Sequence, residues 1–98
     1  MNREEIKKKL IELYAEIFQD SGVDTDLLEY VDLIDDLGMD SITFITLIVE
    51  IEAMFGIIVP DDLLLIDNFK SMDDVIQVVS DQLVEKTAAK MGEGNDEV

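Results

Sequence analysis

The run from Ile42 to Phe55 constrains this chain more than any other stretch. Placed at 100° steps, Ile42, Phe44, Ile45, Leu47, Ile48, Val49, Ile51, Met54 and Phe55 cover an arc of roughly 240°. A helix packed on one side needs little more than about 100°. Phe44, Leu47, Ile48, Ile51 and Phe55 form the main stripe, which must face a core. Ile42, Ile45 and Val49 form a second edge beside Ser41. Of these, Ile45 is expected to be covered by a neighbouring loop or helix. Ile42 and Val49 either complete the core or stay exposed as a small docking patch.

The segment leading into this helix is D-D-L-G-M-D-S-I, Asp35 to Ile42. Asp40 can cap the first free backbone N–H groups, and Gly38 gives the chain room to turn. Ser41 then sits at or just inside a helix start, where the dipole and unpaired N–H donors favour negative charge. A phosphodiester could sit there. Asp-Ser before a helix is equally an ordinary cap, and these two residues alone do not decide between the readings.

Apolar periodicity places three more helices around this one. Ile6, Leu10, Leu13 and Ile17, widened by Tyr14 and Phe18, predict a helix over 3–19, stopped by Asp20-Ser21-Gly22. Asp61 is expected to cap a short third helix through Leu63, Leu64, Leu65 and Ile66. Ser71 and Asp74 form an S-x-x-D box opening a last helix with Met72, Val75, Ile76, Val79 and Leu83 on its inner face. Between the first two helices, Leu27, Leu28, Tyr30, Val31, Leu33 and Leu37 can pin a long loop across the bundle. The expected fold is an all-α four-helix bundle, with three longer helices and one short. Residues 1–86 form the single domain; 87–98 read as a polar, disordered tail.

Composition removes whole classes of chemistry. The 98 residues contain no cysteine and no histidine. Disulfides, thiolate metal sites, a cysteine nucleophile and a Ser-His-Asp hydrolase are all excluded. The acidic loop fails the calcium pattern D-x-[DN]-x-[DN]-G-x5-E. Counted from Asp32 the third position is Ile34, and from Asp36 it is Gly38; no metal site is expected. A formal charge of −17 repels nucleic acid and anionic membranes and favours partners with basic patches. The opening M-N-R-E-E-I-K-K-K reads as a helix start and not a signal peptide, and the apolar runs are too short to span a bilayer. A cytoplasmic monomer is expected.

The stretch Asp35–Asp61, with its D-L-G-x-D-S-[LI] core and F-G-I-I-V-P following at helix length, resembles the acyl and peptidyl carrier proteins. The likeness extends over about residues 3 to 85. It implies that Ser41 accepts a 4′-phosphopantetheine arm from coenzyme A through a separate phosphopantetheinyl transferase. Asp40 would help position the transferase's metal and coenzyme A. The arm's thiol would hold cargo as a thioester, so a chain without cysteine could take part in thiol chemistry. The chain itself would be no enzyme but a discrete acyl carrier for fatty-acid, polyketide or related biosynthesis. Met39, Ile42, Thr43, Thr46, Val49 and Glu50 would form the docking face for loading and biosynthetic enzymes. Fatty-acid carriers usually show several acids on the exposed face of this helix, whereas here only Glu50 is charged. That departure points to the alternative of a free-standing aminoacyl or peptidyl carrier. A rival of another class is an acidic helical adaptor that is never modified.

Overall fold

The computed structural model describes the backbone of residues 1–96 and the side chains of residues 1–87. It is an all-helical bundle of three long helices and four short 3-10 segments, one of them Thr25–Tyr30 in the long loop, without strands among the described residues. Helix α1 (Arg3–Ile17) opens where Asn2 accepts the Glu5 N–H at 2.9 Å. It buries Ile6, Leu10, Leu13 and Tyr14. The apolar spacing predicts a helix to residue 19, but the last turn tightens into a 3-10 turn, Gln19–Ser21. Gly22 ends it in the left-handed region at φ 78°, which glycine enters without steric cost.

The long loop is ordered by its own side chains. Leu28 and Leu33 are buried, and the Leu33 N–H reaches the Lys70 carbonyl at 2.7 Å. Asp32 Oδ1 accepts the N–H groups of Ile34 and Asp35, each at 2.8 Å, while Asp36 Oδ2 accepts the Asp32 N–H at 2.7 Å. These acids therefore satisfy backbone donors in a turn. Among the described residues, no group of three or more candidate ligands is arranged to hold a metal ion.

Helix α2 (Ser41–Phe55) buries Phe44, Leu47, Ile48, Ile51 and Phe55, the main stripe of the sequence reading. Gly56 closes it at φ 63°. Half-buried Glu52 then accepts the Val59 N–H at 2.9 Å and fixes the outgoing strand-like connection.

The short third helix differs from expectation. It is two 3-10 turns, Asp61–Leu63 and Ile66–Phe69, and Asp61 makes no side-chain cap; Pro60 holds the cap position. Leu64 and Leu65 leave helical geometry between the turns. Three consecutive leucines cannot all point inward from one helical turn, and Leu65 is accordingly exposed. The break lets Phe69 reach the core, where its ring packs 5.2 Å from that of Phe44.

The last helix, α3 (Met72–Asp96), starts on the reciprocal box read from the sequence. The Asp74 N–H donates to Ser71 Oγ at 3.1 Å, and the Ser71 N–H to Asp74 Oδ2 at 3.3 Å. Met72, Val75, Ile76 and Val79 are buried, and Leu83 packs on the rim. The α3 backbone runs to Asp96, past residue 86 where the polar tail was expected to begin. Residues 97–98 and the side chains of 88–98 lie outside the described residues. No helix among the described residues is long and apolar enough to cross a membrane.

Candidate functional site

The site is assembled by the last turn of the loop and the first turn of α2. Gly38 takes φ 67°, its N–H donating to the Ile34 carbonyl at 3.0 Å. The Met39 N–H then bonds the Leu33 carbonyl at 2.8 Å. This pair of bonds turns the chain so that Met39 points inward, with only 4% of its surface exposed. Met39 is thus corrected from the docking face to an anchor beneath it: a thioether buried in the core offers nothing to a partner.

With Met39 fixed, Asp40 and Ser41 stand exposed. Asp40 is extended, and its Oδ1 accepts the Thr43 N–H at 2.8 Å while its carbonyl starts the helical ladder with Phe44 N–H at 2.9 Å. Its carboxyl is held below the usual carboxylate range. The main cause is the backbone hydrogen bond from Thr43, followed by the Thr43 side-chain hydrogen bond. Asp40 is therefore ionised at neutral pH, immediately before Ser41. The first turn of α2 contains no other acid, so the positive end of the dipole is offset only by this cap. The Ser41 hydroxyl makes no hydrogen bond to a described residue.

Along the exposed side of α2, Ile42, Val49 and Ile45 are 76%, 55% and 62% exposed. Ile45 corrects the expectation that a loop or helix covers it. An apolar groove of about 250 Å³ lies between Phe44, Ile45, Ile48, Val49 and Leu64. Thr46 is exposed, its hydroxyl donating back to the Ile42 carbonyl at 3.2 Å; Glu50 is exposed and Thr43 half-buried. Sequence reasoning missed Leu64 as a groove wall, although the run Leu63-Leu64-Leu65 carried the signal that one helix could not bury all three.

The site is an exposed serine at a capped helix start, above a packed helical core. The family model for the phosphopantetheine attachment site matches residues 8–79, and the chain belongs to that family. No curated protein sequence matches the chain. Members carry 4′-phosphopantetheine covalently and are carriers, not catalysts, served by a phosphopantetheinyl transferase and biosynthetic enzymes. The residues present fit such a group, since Ser41 is uncovered and its hydroxyl is not held by a described side chain.

Proposed function

We propose that this chain is an acyl carrier protein whose arm is attached at Ser41, for fatty-acid, polyketide or related biosynthesis. The observation that supports it is the exposed Ser41 as the first residue of α2, directly after the Asp40 cap and inside the segment matched by the family. When bound, the arm supplies a terminal thiol that holds cargo as a thioester. The chain's residues do the positioning. Gly38 and Met39 set the turn, and Asp40 rigidifies the helix start and presents a carboxylate for the transferase's metal and coenzyme A. Ile42, Ile45, Thr43, Thr46, Val49 and Glu50 form the face that biosynthetic enzymes contact. We place the protein in the cytoplasm as a monomer.

A second reading, an aminoacyl or peptidyl carrier of a nonribosomal peptide pathway, is favoured by one feature. The exposed side of α2 is apolar, with Ile42, Ile45 and Val49 outnumbering the single charge at Glu50. Loading by an adenylating enzyme, against loading by an acyl-transferring one, separates the two.

The test of the site is intact mass after incubation with coenzyme A and a broad-specificity phosphopantetheinyl transferase, beside Ser41→Ala. The expected result is a gain of one phosphopantetheine on the native chain alone. A folded native chain that gains nothing would overturn the reading in favour of an unmodified acidic adaptor.

A further inference from the structure

The 3-10 segment Thr25–Tyr30 in the long loop sorts its side chains into three lines. A 3-10 helix has three residues per turn, so side chains three apart eclipse one another. The Leu27 N–H donates to the Asp24 carbonyl at 2.9 Å, which sets that register. Leu28 and Val31 form the inward line, the first buried and the second half-buried. Asp26 and Glu29 form a second line, where Glu29 meets Lys7 of α1 at 3.2 Å and holds the segment against that helix. Leu27 and Tyr30 form the third, 52% and 76% exposed, with Asp24 at its head. A single exposed apolar side chain needs no explanation. A leucine and a tyrosine eclipsed on one outward line, on a segment pinned from behind, make a patch.

We infer that this Leu27–Tyr30 line is a docking surface for a basic, amphipathic segment of a protein partner. The surface lies on the loop and not on α2, and it does not depend on attachment at Ser41.

Charge selects the occupant. Asp24 makes no side-chain cap, and Asp26 has no hydrogen bond or ion pair among the described residues, so two exposed carboxylates stand beside the patch. No Lys or Arg occurs between Leu10 and Phe69. Lys7, which reaches the segment from α1, is already engaged by Glu4 and Glu29. A cationic segment is therefore attracted here. A second copy of a chain with a formal charge of −17, a nucleic acid or an anionic membrane is repelled. Apolar side chains of the segment cover Leu27 and the Tyr30 ring, while its Arg or Lys side chains meet Asp24 and Asp26. An Arg can also stack on the ring, and tyrosine suits an anchor because its body is apolar and its tip wet.

The experiment titrates the full, unmodified chain with a synthetic helical peptide of about 14 residues, Leu on one face and Arg on the other, and follows backbone amide shifts. A scrambled peptide of the same composition keeps the charge and loses the face. Shift changes should concentrate at 24–31. The dissociation constant should be at least about tenfold weaker for the scrambled peptide and for the Leu27→Ser, Tyr30→Ser chain, with circular dichroism unchanged. Asp24→Asn with Asp26→Asn should also weaken binding, whereas Asp61→Asn with Asp62→Asn, which removes equal charge elsewhere, should leave it near native. Shifts spread over the acidic surface, with all chains binding alike, would overturn the inference and leave net charge as the whole attraction. Shifts at Ile42, Ile45 and Val49 instead would overturn it in favour of α2. No binding would overturn it outright, and shifts at 24–31 on concentrating the chain without peptide would do so in favour of a second copy.

Discussion

Asp40 Oδ1 accepts the backbone N–H of Thr43 at 2.8 Å, so the residue before Ser41 closes the open end of α2. The same contact orders the serine and lowers the carboxyl's proton affinity. Helix capping and presentation of the hydroxyl are therefore one structural event, and they can be separated only by changing hydrogen bonding and charge independently.

Asp40→Asn keeps an accepting side-chain oxygen at the cap and removes the charge; Asp40→Ala removes both. We expect Asn to retain most of the native thermal midpoint at neutral pH and Ala to lower it, with transferase loading reduced in both. Asp40's pKa is lower folded than its ordinary value of 3.8. Its charge therefore contributes stability above that value, and the contribution is lost as pH falls through the folded pKa. Thermal melts through the acid range should show the native advantage over Asp40→Asn disappearing on acidification. An advantage that persisted in strong acid would contradict the capping account.

Tyr14 is fully buried, yet its hydroxyl has no hydrogen-bond partner among the described residues. Such an unmet group costs about 1–3 kcal/mol. Tyr14→Phe keeps the ring, including its edge contact with Phe18, and is expected to be neutral or stabilising by up to about that amount in urea melts. Burial, aided by the charge of Asp74, raises the Tyr14 pKa well above its ordinary value of 10.0. A raised folded pKa means that stability is intact below the unfolded value and declines as pH rises past it. The native chain should therefore lose stability above about pH 10, more steeply than Tyr14→Phe. Equal alkaline slopes would show that Tyr14 is solvated.

Most of this architecture is legible in the sequence because the relevant signals are local. Asn68 and Leu65 show where that ends. The S-x-x-D box at Ser71–Asp74 and the stop at Gly22 depend on neighbouring residues, and they stand where the pattern puts them. The five inward residues of α2 follow from helical period alone. The failures are tertiary. Leu65 turns outward because Leu64 breaks the helix, and Asn68 Nδ2 instead satisfies the Leu63 carbonyl at 3.2 Å. Ile45 is exposed, and Met39 is buried where the Gly38 and Met39 N–H groups bond back to the Ile34 and Leu33 carbonyls. No periodicity encodes either event.

Ile51 and Ile42 share a helix and a side chain but not an environment: Ile51 is wholly buried and Ile42 is 76% exposed. Ile51→Ala should destabilise the fold by about 2–5 kcal/mol, the range for emptying a core site. Ile42→Ala should change stability by less than about 0.5 kcal/mol. If Ile42, Ile45 and Val49 form the docking face, Ile42→Asp should weaken transfer of cargo to a cognate enzyme while circular dichroism and the melting midpoint stay near native. Steady-state transfer kinetics beside chemical denaturation provide both readings. A large loss of stability from Ile42→Ala would place that side chain in the core.

Lys7 makes both salt bridges found among the described residues, to Glu4 at 3.5 Å and Glu29 at 3.2 Å. The contact with Glu29 joins α1 to the long loop, and its hydrogen bond is the main cause of a raised Lys7 pKa. Against this stands a formal charge of −17, with 24 acidic side chains and 7 basic ones. Salt therefore has two opposed effects. It screens the Lys7 attraction, and it screens repulsion among many acids that have no cation nearby. Moving from about 0.1 M to about 1 M salt shortens the screening length from about 10 Å to about 3 Å, which removes mostly the longer-range term, repulsion. The melting midpoint should therefore rise with sodium chloride. Lys7→Gln should melt below the native chain at low salt, with the gap narrowing at high salt. A midpoint that fell as salt was added would mean that attractive pairing, and not self-repulsion, dominates the surface of this chain.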